Sequence, residues 1–167
     1  KYIVEDFERS RVSMNDNTIG GLVVCDSSDQ AKMMNEIFQS TYAVQKEELA
    51  MAAEPIVSYG EKKVRERKVN TAKLILFDIP ERKTWVEEFK DGKIDLLFVY
   101  NMLLTGFDAP RLKKLYVGRI IKAHNLLQTL TRVNRTYKDF RYGYVVDFAG
   151  IEKQFKKTSQ DYFNELQ

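Results

Sequence analysis

Cysteine and histidine are nearly absent from this chain: Cys25 and His124 are the sole examples among 167 residues. A single thiol forms no internal disulfide, and one thiol with one imidazole argues against a zinc site made of protein ligands. Embedded in GLVVCD, Cys25 reads as a small buried hydrophobe. Long apolar runs are absent too. The longest, such as LLFVY at Leu96 to Tyr100, fall far short of the roughly 20 residues of a membrane-spanning helix, and no charged-then-apolar signal pattern opens the chain. Neither an internal repeat nor a low-complexity tract occurs. The expectation is a soluble, cytoplasmic protein with no membrane partner, and 44% hydrophobic against 31% charged residues suits one compact domain with a substantial core. The chain opens on Lys1 rather than methionine and closes on a helical-looking segment without a stop, so it reads as part of something longer.

What is present begins with charge. A net charge of +3 is too mild to name a partner, but the basic residues cluster. EKKVRERKVNTAK, from Glu61 to Lys73, sets Lys62, Lys63, Arg65, Arg67, Lys68 and Lys73 against Glu61 and Glu66. RLKKLYVGRIIK, from Arg111 to Lys122, has five basic residues and no acid. Each cluster reads either as a solvated surface or as a phosphate contact.

Five short apolar runs recur: GLVVC (Gly21 to Cys25), KLILF (Lys73 to Phe77), DLLFVY (Asp95 to Tyr100), KLYVG (Lys114 to Gly118) and YGYVV (Tyr142 to Val146). They are continuous rather than alternating, as in strands buried on both faces. Helical spacing separates several of them, which predicts a mainly parallel sheet between two helical layers, an α/β/α domain. Ser27 with Gln30 three residues on forms a capping-box pattern ahead of Ala31, Met34, Ile37 and Phe38. Pro80 precedes a helix carrying Trp85 and Phe89, with Asp91-Gly92 as its stop. The expected division is a helical lead-in over 1–19, a domain over 20–150 with an inserted excursion at about 42–70, and a C-terminal helix over 151–167 whose stripe is Ile151, Phe155, Tyr162 and Leu166.

Two segments carry the candidate chemistry. In NLLQTLTRVNR, Asn125 to Arg135, a helix advancing about 100° per residue brings Gln128, Arg132 and Arg135 into one narrow arc. Leu126, Leu127, Leu130 and Val133 form the opposite, core-facing side. NMLLTGFDAP, Asn101 to Pro110, follows the C-terminal end of a predicted buried strand, where open parallel sheets hold ligands. Gly106 permits a tight turn or close backbone approach, Asp108 offers a carboxylate and Pro110 stiffens the exit. Taken singly, the arginines also read as solubilising residues and the loop as a plain Gly-Asp-Pro turn.

In this order the segments resemble the second RecA-like domain of superfamily 2 helicases and translocases. NLLQTLTRVNR looks like that family's motif VI at Gln128, Arg132 and Arg135; LLTGFDAP looks like motif V at Gly106, Asp108 and Pro110; GLVVCDSS looks like motif IV at Cys25 to Ser28. The closer likeness is to the R subunit of type I restriction enzymes, with a phrase like NMLLTGFDAP, a strand, a Q-three-R-two-N-R helix, and then YGYVVDFAGI from Tyr142 to Ile151. Thr131 and Asn134 stand where the broad helicase motif has glycines, which points away from a generic RNA helicase.

The resemblance implies an ATP site shared between two RecA-like domains, in which Arg132 and Arg135 act on the phosphates as catalytic arginines. Gln128, Gly106 and Asp108 then lie near the nucleotide, and Ser27, Ser28, Asn101 and Thr105 near the nucleic-acid backbone. It implies double-stranded DNA and the methylation and specificity subunits as partners, with ATP and Mg2+ bound mainly by a first RecA-like domain. The chain has no Gly-x-x-x-x-Gly-Lys-Ser/Thr loop and no Asp-Glu-x-His-type magnesium sequence, and Glu47-Glu48 and Glu87-Glu88 are adjacent pairs rather than a nuclease cluster. Alone it is expected to neither hydrolyse ATP nor cut DNA. The alternatives are another superfamily 2 DNA motor and a non-enzymatic RecA-like scaffold that binds through the basic clusters.

Overall fold

The computed structural model describes residues 1–43, 68–103, 107–121, 123–153, 155–157 and 160. Most of the expected excursion at 42–70, the bulk of the first basic cluster, Thr105, Gly106, Tyr162 and Leu166 lie outside the described residues. Five strands, β1 (Gly20–Val24), β2 (Ala72–Ile75), β3 (Leu96–Val99), β4 (Leu112–Val117) and β5 (Tyr144–Asp147), form one sheet in the order β2-β3-β1-β4-β5. Every pairing is parallel. Parallel neighbours require crossovers, and helices α2 (Ser28–Phe38), α3 (Arg82–Lys90) and α4 (Ala123–Val133) lie between strands, while α1 (Tyr2–Ser13) precedes them.

Alternation along each strand divides the core into two layers. Leu22, Val24, Leu97, Val99, Leu115 and Val117 pack with Phe89 of α3 and Leu126 and Val133 of α4. Val23, Cys25, Leu96, Phe98 and Tyr116 pack on the other face with Val4 and Phe7 of α1 and Ala31 and Phe38 of α2. Period-two alternation with both faces apolar explains why the strands read as unbroken hydrophobic runs. Cys25, just past β1, is buried, and burial pushes its thiol up from 9.0 to about 12.

The helix signals act locally as expected. Ser27 accepts the backbone N–H of Gln30 at 3.1 Å, while the Gln30 side chain reaches back to the N–H of Asp26 at 2.7 Å. Helix α3 stops at Asp91, followed by Gly92 with φ of 84°, a left-handed conformation that costs glycine little.

Burial on both faces fails at the sheet edge. Tyr144, Val145 and Asp147 of β5 are exposed, because the strand pairs only with β4 among the described residues and α4 only touches it in passing. An apolar run carries no mark of its rank in the sheet, so β5 looked in sequence like the central strands.

Helix α1 is tied down by a contact that its weak apolar pattern does not announce. The Arg11 guanidinium donates to Asp95 at 2.6 Å and to the Ile19 carbonyl at 3.0 Å, with both side chains buried. Asp95 also accepts from the Thr71 hydroxyl at 2.7 Å. One carboxylate at the foot of β3 thus joins α1 to the start of β2.

Candidate functional site

Helix α4 ends at Val133, so Arg135 stands in the turn beyond it rather than on the helix. Both arginines nevertheless meet the same short segment. Arg132, half-buried, donates to the carbonyl of Phe107, and Arg135 forms an ion pair with Asp108. Phe107 is buried against Phe89, its ring centroid 5.9 Å away, which anchors the turn that carries Asp108. Asp108 itself is exposed. Gln128 is half-buried one turn N-terminal to Arg132, and beside them the Thr131 hydroxyl donates to the Gln128 carbonyl at 2.8 Å.

Leu126 and Val133 are fully buried on α4 as expected, whereas Leu127 and Leu130 are half-buried and Thr129 takes a buried place, its hydroxyl donating to the Asn125 carbonyl at 2.7 Å. A hydroxyl that bonds back one turn can sit in a core where an apolar residue was expected.

The other predicted residues sit apart from this corner. Ser27 and Ser28 follow β1 and Asn101 follows β3, at the C-terminal ends of adjacent parallel strands. Asn101 accepts from Arg119 at 2.7 Å, and the Arg119 guanidinium lies 4.7 Å from the centre of the Tyr100 ring. A groove beside them is lined by Ser28, Lys32, Phe77, Tyr100 and Asn101, with a volume of about 260 Å³. Phe77 is largely exposed and Arg82 stacks on it at 5.2 Å. Arg119 belongs to the second basic cluster, for which the sequence offered a phosphate contact as one of two readings; Lys32 and the Phe77–Arg82 pair were missed, and no sequence signal marks them.

Both readings of the second basic cluster fail for three of its members, which are neither solvated nor open to phosphate. Arg111 is buried and donates to the carbonyls of Thr18 and Ile94, each at 2.7 Å. Lys114 pairs with Asp6 at 2.8 Å and donates to Ser10 at 3.0 Å. Lys113 is fully buried, and its ammonium donates to the carbonyls of Val133, at 3.3 Å, and Arg135. Burial pulls its pKa below the ordinary lysine value. Near α1, Tyr116 donates to Asp6 at 2.8 Å, and burial with that carboxylate pushes its phenol up.

At the start of β1, burial tends to raise the Asp16 carboxyl. The Lys138 ammonium at 2.6 Å and the Thr18 donors outweigh it and hold the group below the usual carboxylate range.

An all-parallel five-stranded sheet in this order, with helices between its strands, defines a RecA-like α/β domain. Residues 12–150 match the family described as type I restriction enzyme subunit R domain 3, and the chain belongs to that family. It is 37% identical over 132 residues to a putative type I restriction enzyme MjaVIIP endonuclease subunit of Methanocaldococcus jannaschii, a match covering 78% of this chain and 11% of that one. The chain spans about a tenth of the length of the curated relatives it matches. Among solved structures it is similar to the Mss116p DEAD-box helicase domain 2 bound to an RNA duplex, with a TM-score of 0.59, 14% identity, and coverage of 98% of this chain and 54% of that one. It also resembles the Mycobacterium smegmatis helicase Lhr bound to ssDNA and AMP-PNP, with a TM-score of 0.51, 13% identity, and coverage of 86% and 16%. These likenesses concern the fold.

Proposed function

We propose that this chain is the second motor domain of an R subunit whose complete form couples ATP hydrolysis to translocation along double-stranded DNA and to DNA cleavage, in a complex with methylation and specificity subunits. The observation that carries the reading is the convergence of Arg132 and Arg135 on the turn at Phe107 and Asp108, with the Arg135 side chain 45% exposed and held by a carboxylate that is itself 57% exposed. An exposed ion pair contributes only about 0–1 kcal/mol, so a triphosphate presented by a facing domain can take the guanidinium from Asp108 at little cost. Arg135 then stabilises the charge that spreads over the transferring phosphoryl oxygens, through the planar fork that lysine lacks. Arg132 fixes the turn and reaches the same phosphates, while Gln128, Gly106 and Asp108 line the nucleotide.

The donors gathered here fit an anionic substrate. They do not fit a divalent cation, because among the described residues no group of three or more His, Cys, Asp or Glu side chains comes together. In this reading Mg2+ is held by the first RecA-like domain, and the chain alone is inactive. Ser27, Ser28 and Asn101, at the C-terminal ends of the strands, contact the DNA backbone with neutral polar groups that hold phosphate without reading sequence, and the same role is proposed for Thr105 from its sequence motif. The division at residues 20 and 150, with a helical segment on either side, belongs to the same reading.

The test is DNA-stimulated ATP turnover by the complete R subunit carrying Arg135→Ala or Arg132→Ala. The expected result for Arg135→Ala is a loss of kcat of about 10³-fold or more. Near-normal turnover in both variants would sink the assigned roles.

A further inference from the structure

Strand β4 contains one residue more than its partner. Gly20 of β1 pairs with Leu112 and Gly21 pairs with Lys114, leaving Lys113 as the extra residue of a β-bulge. A bulge turns two consecutive side chains toward the same face of a sheet, and this one does so: Leu112 and Lys113 both point to the α4 side, whereas Lys114 faces Asp6 and Ser10 of α1. The Lys113 side chain is 0% exposed, and among the described residues no carboxylate pairs with it. An ammonium is costly to bury in such a place unless its donors are used. Two of them are used: one on the carbonyl of Val133, which the end of α4 leaves without an intrahelical partner and at the negative end of the helix dipole, and one on the carbonyl of Arg135 in the turn beyond.

A second device meets the same point. A Cβ at Gly143 would collide with the carbonyl of Val133, and the Gly143 N–H donates to the Asn134 side chain at 3.4 Å. The Tyr142-Gly143 pair therefore has a physical reason: the chain returning to β5 passes against the end of α4 with no room for a side chain. The backbone that carries Arg132 and Arg135 is gripped by Lys113 from within the sheet and by residue 143 alongside.

We propose that Lys113 is a positioning residue for the arginine pair, its bulge-directed ammonium fixing the turn from Val133 to Arg135 so that both guanidiniums reach the phosphates of an ATP bound by a facing domain. This rests on the reading of Arg132 and Arg135 given above. Lys113 touches no substrate and acts only through that turn. Misplacement of a reacting group by about 1 Å can cost on the order of 10²-fold in rate, so the effect falls on turnover rather than on ATP capture.

The experiment uses the complete R subunit in its complex and compares wild type, Lys113→Met, Lys113→Gln, Arg135→Ala and the Lys113→Met/Arg135→Ala double variant in DNA-stimulated ATP turnover. Thermal unfolding is recorded for each. Methionine matches the stem without donors; glutamine keeps an amide donor one bond shorter. The expected result is a roughly 10- to 100-fold lower kcat for Lys113→Met with ATP KM within about threefold, partial recovery in Lys113→Gln, and a clearly smaller further loss, through Arg132 alone, when Lys113→Met is added to Arg135→Ala. An unchanged kcat in a folded Lys113→Met overturns the proposal, as does an equal proportional loss in the Arg135→Ala background. If Lys113→Met does not fold, Lys113→Gln against Arg135→Ala decides by the same non-additivity. Near-normal turnover in Arg135→Ala locates the failure in the arginine reading instead.

Discussion

Two sets of cations in this domain stand in opposite circumstances. Arg11, Arg111, Lys113 and Lys114 are buried, and their partners are backbone carbonyls, hydroxyls and the carboxylates of Asp95 and Asp6. Arg132 and Arg135 stand half-buried and exposed at the end of α4, each in contact with the turn at Phe107 and Asp108. The buried set spends its charge inside the fold and joins elements distant in sequence. The second set keeps its charge near the surface, where an exchange of partners costs little.

The largest effect expected to sharpen this contrast is catalytic. Arg135→Ala in the complete R subunit lowers DNA-stimulated kcat by about 10³-fold or more while leaving the melting temperature of the domain near wild type. A large loss of stability instead would place Arg135 with the buried set. Lys113→Met, though buried, is expected to act on kcat, so it tests whether one buried cation serves the surface pair.

Arg11→Met should do the reverse. Asp95 would lose its buried Arg11 donor, which costs about 3–5 kcal/mol of stability by urea unfolding; a change under about 1 kcal/mol would show that the other groups around the carboxylate, Thr71 among them, satisfy it.

Asp16→Asn gives a smaller, pH-dependent effect. Because the folded carboxyl lies below its ordinary value of 3.8, its contribution is present above that value and disappears as pH falls through the lower folded value. The stability difference between wild type and Asp16→Asn is therefore expected to shrink on acidification below about pH 4, and a difference constant from pH 7 to pH 3 would contradict the assignment.

Smallest of all, Asp108→Asn should change stability by less than about 1 kcal/mol, since its ion pair is exposed. A loss of several kcal/mol on urea unfolding would mean that the Arg135 pair is structural and the contrast false.

What the sequence revealed follows the range of the forces involved. Parallel strands buried on two faces leave unbroken apolar runs, so all five strands and their alternation with helices could be read, and the Ser27 cap and the stop at Gly92 depend on neighbours a few residues away. The Arg11–Asp95 pair spans 84 residues and leaves no periodic trace. Nor does the bulge, because no residue type encodes an extra position in β4, and Lys113 therefore read as a solvated charge or a phosphate contact like the rest of its cluster. The exposure of β5 depends on what lies beside it, which its own apolar run does not record. At the candidate site, the helical arc rightly grouped Arg132 with Gln128, but the helix stops at Val133, and what brings Arg135 back to the same place is the carboxylate of Asp108.

The solitary thiol gives the domain a built-in clock for the opening of its central strand. Cys25 follows β1 directly, is shielded, and keeps its proton to about pH 12 when folded, whereas a solvated cysteine gives it up near 9.0. Between those values the unfolded chain releases a proton that the folded chain holds, so stability declines as pH climbs through that window. Under milder conditions a thiol reagent meets a reactive sulfur only in molecules whose β1 has opened. The labelling rate then times that opening with no engineered probe and no second cysteine to confuse it.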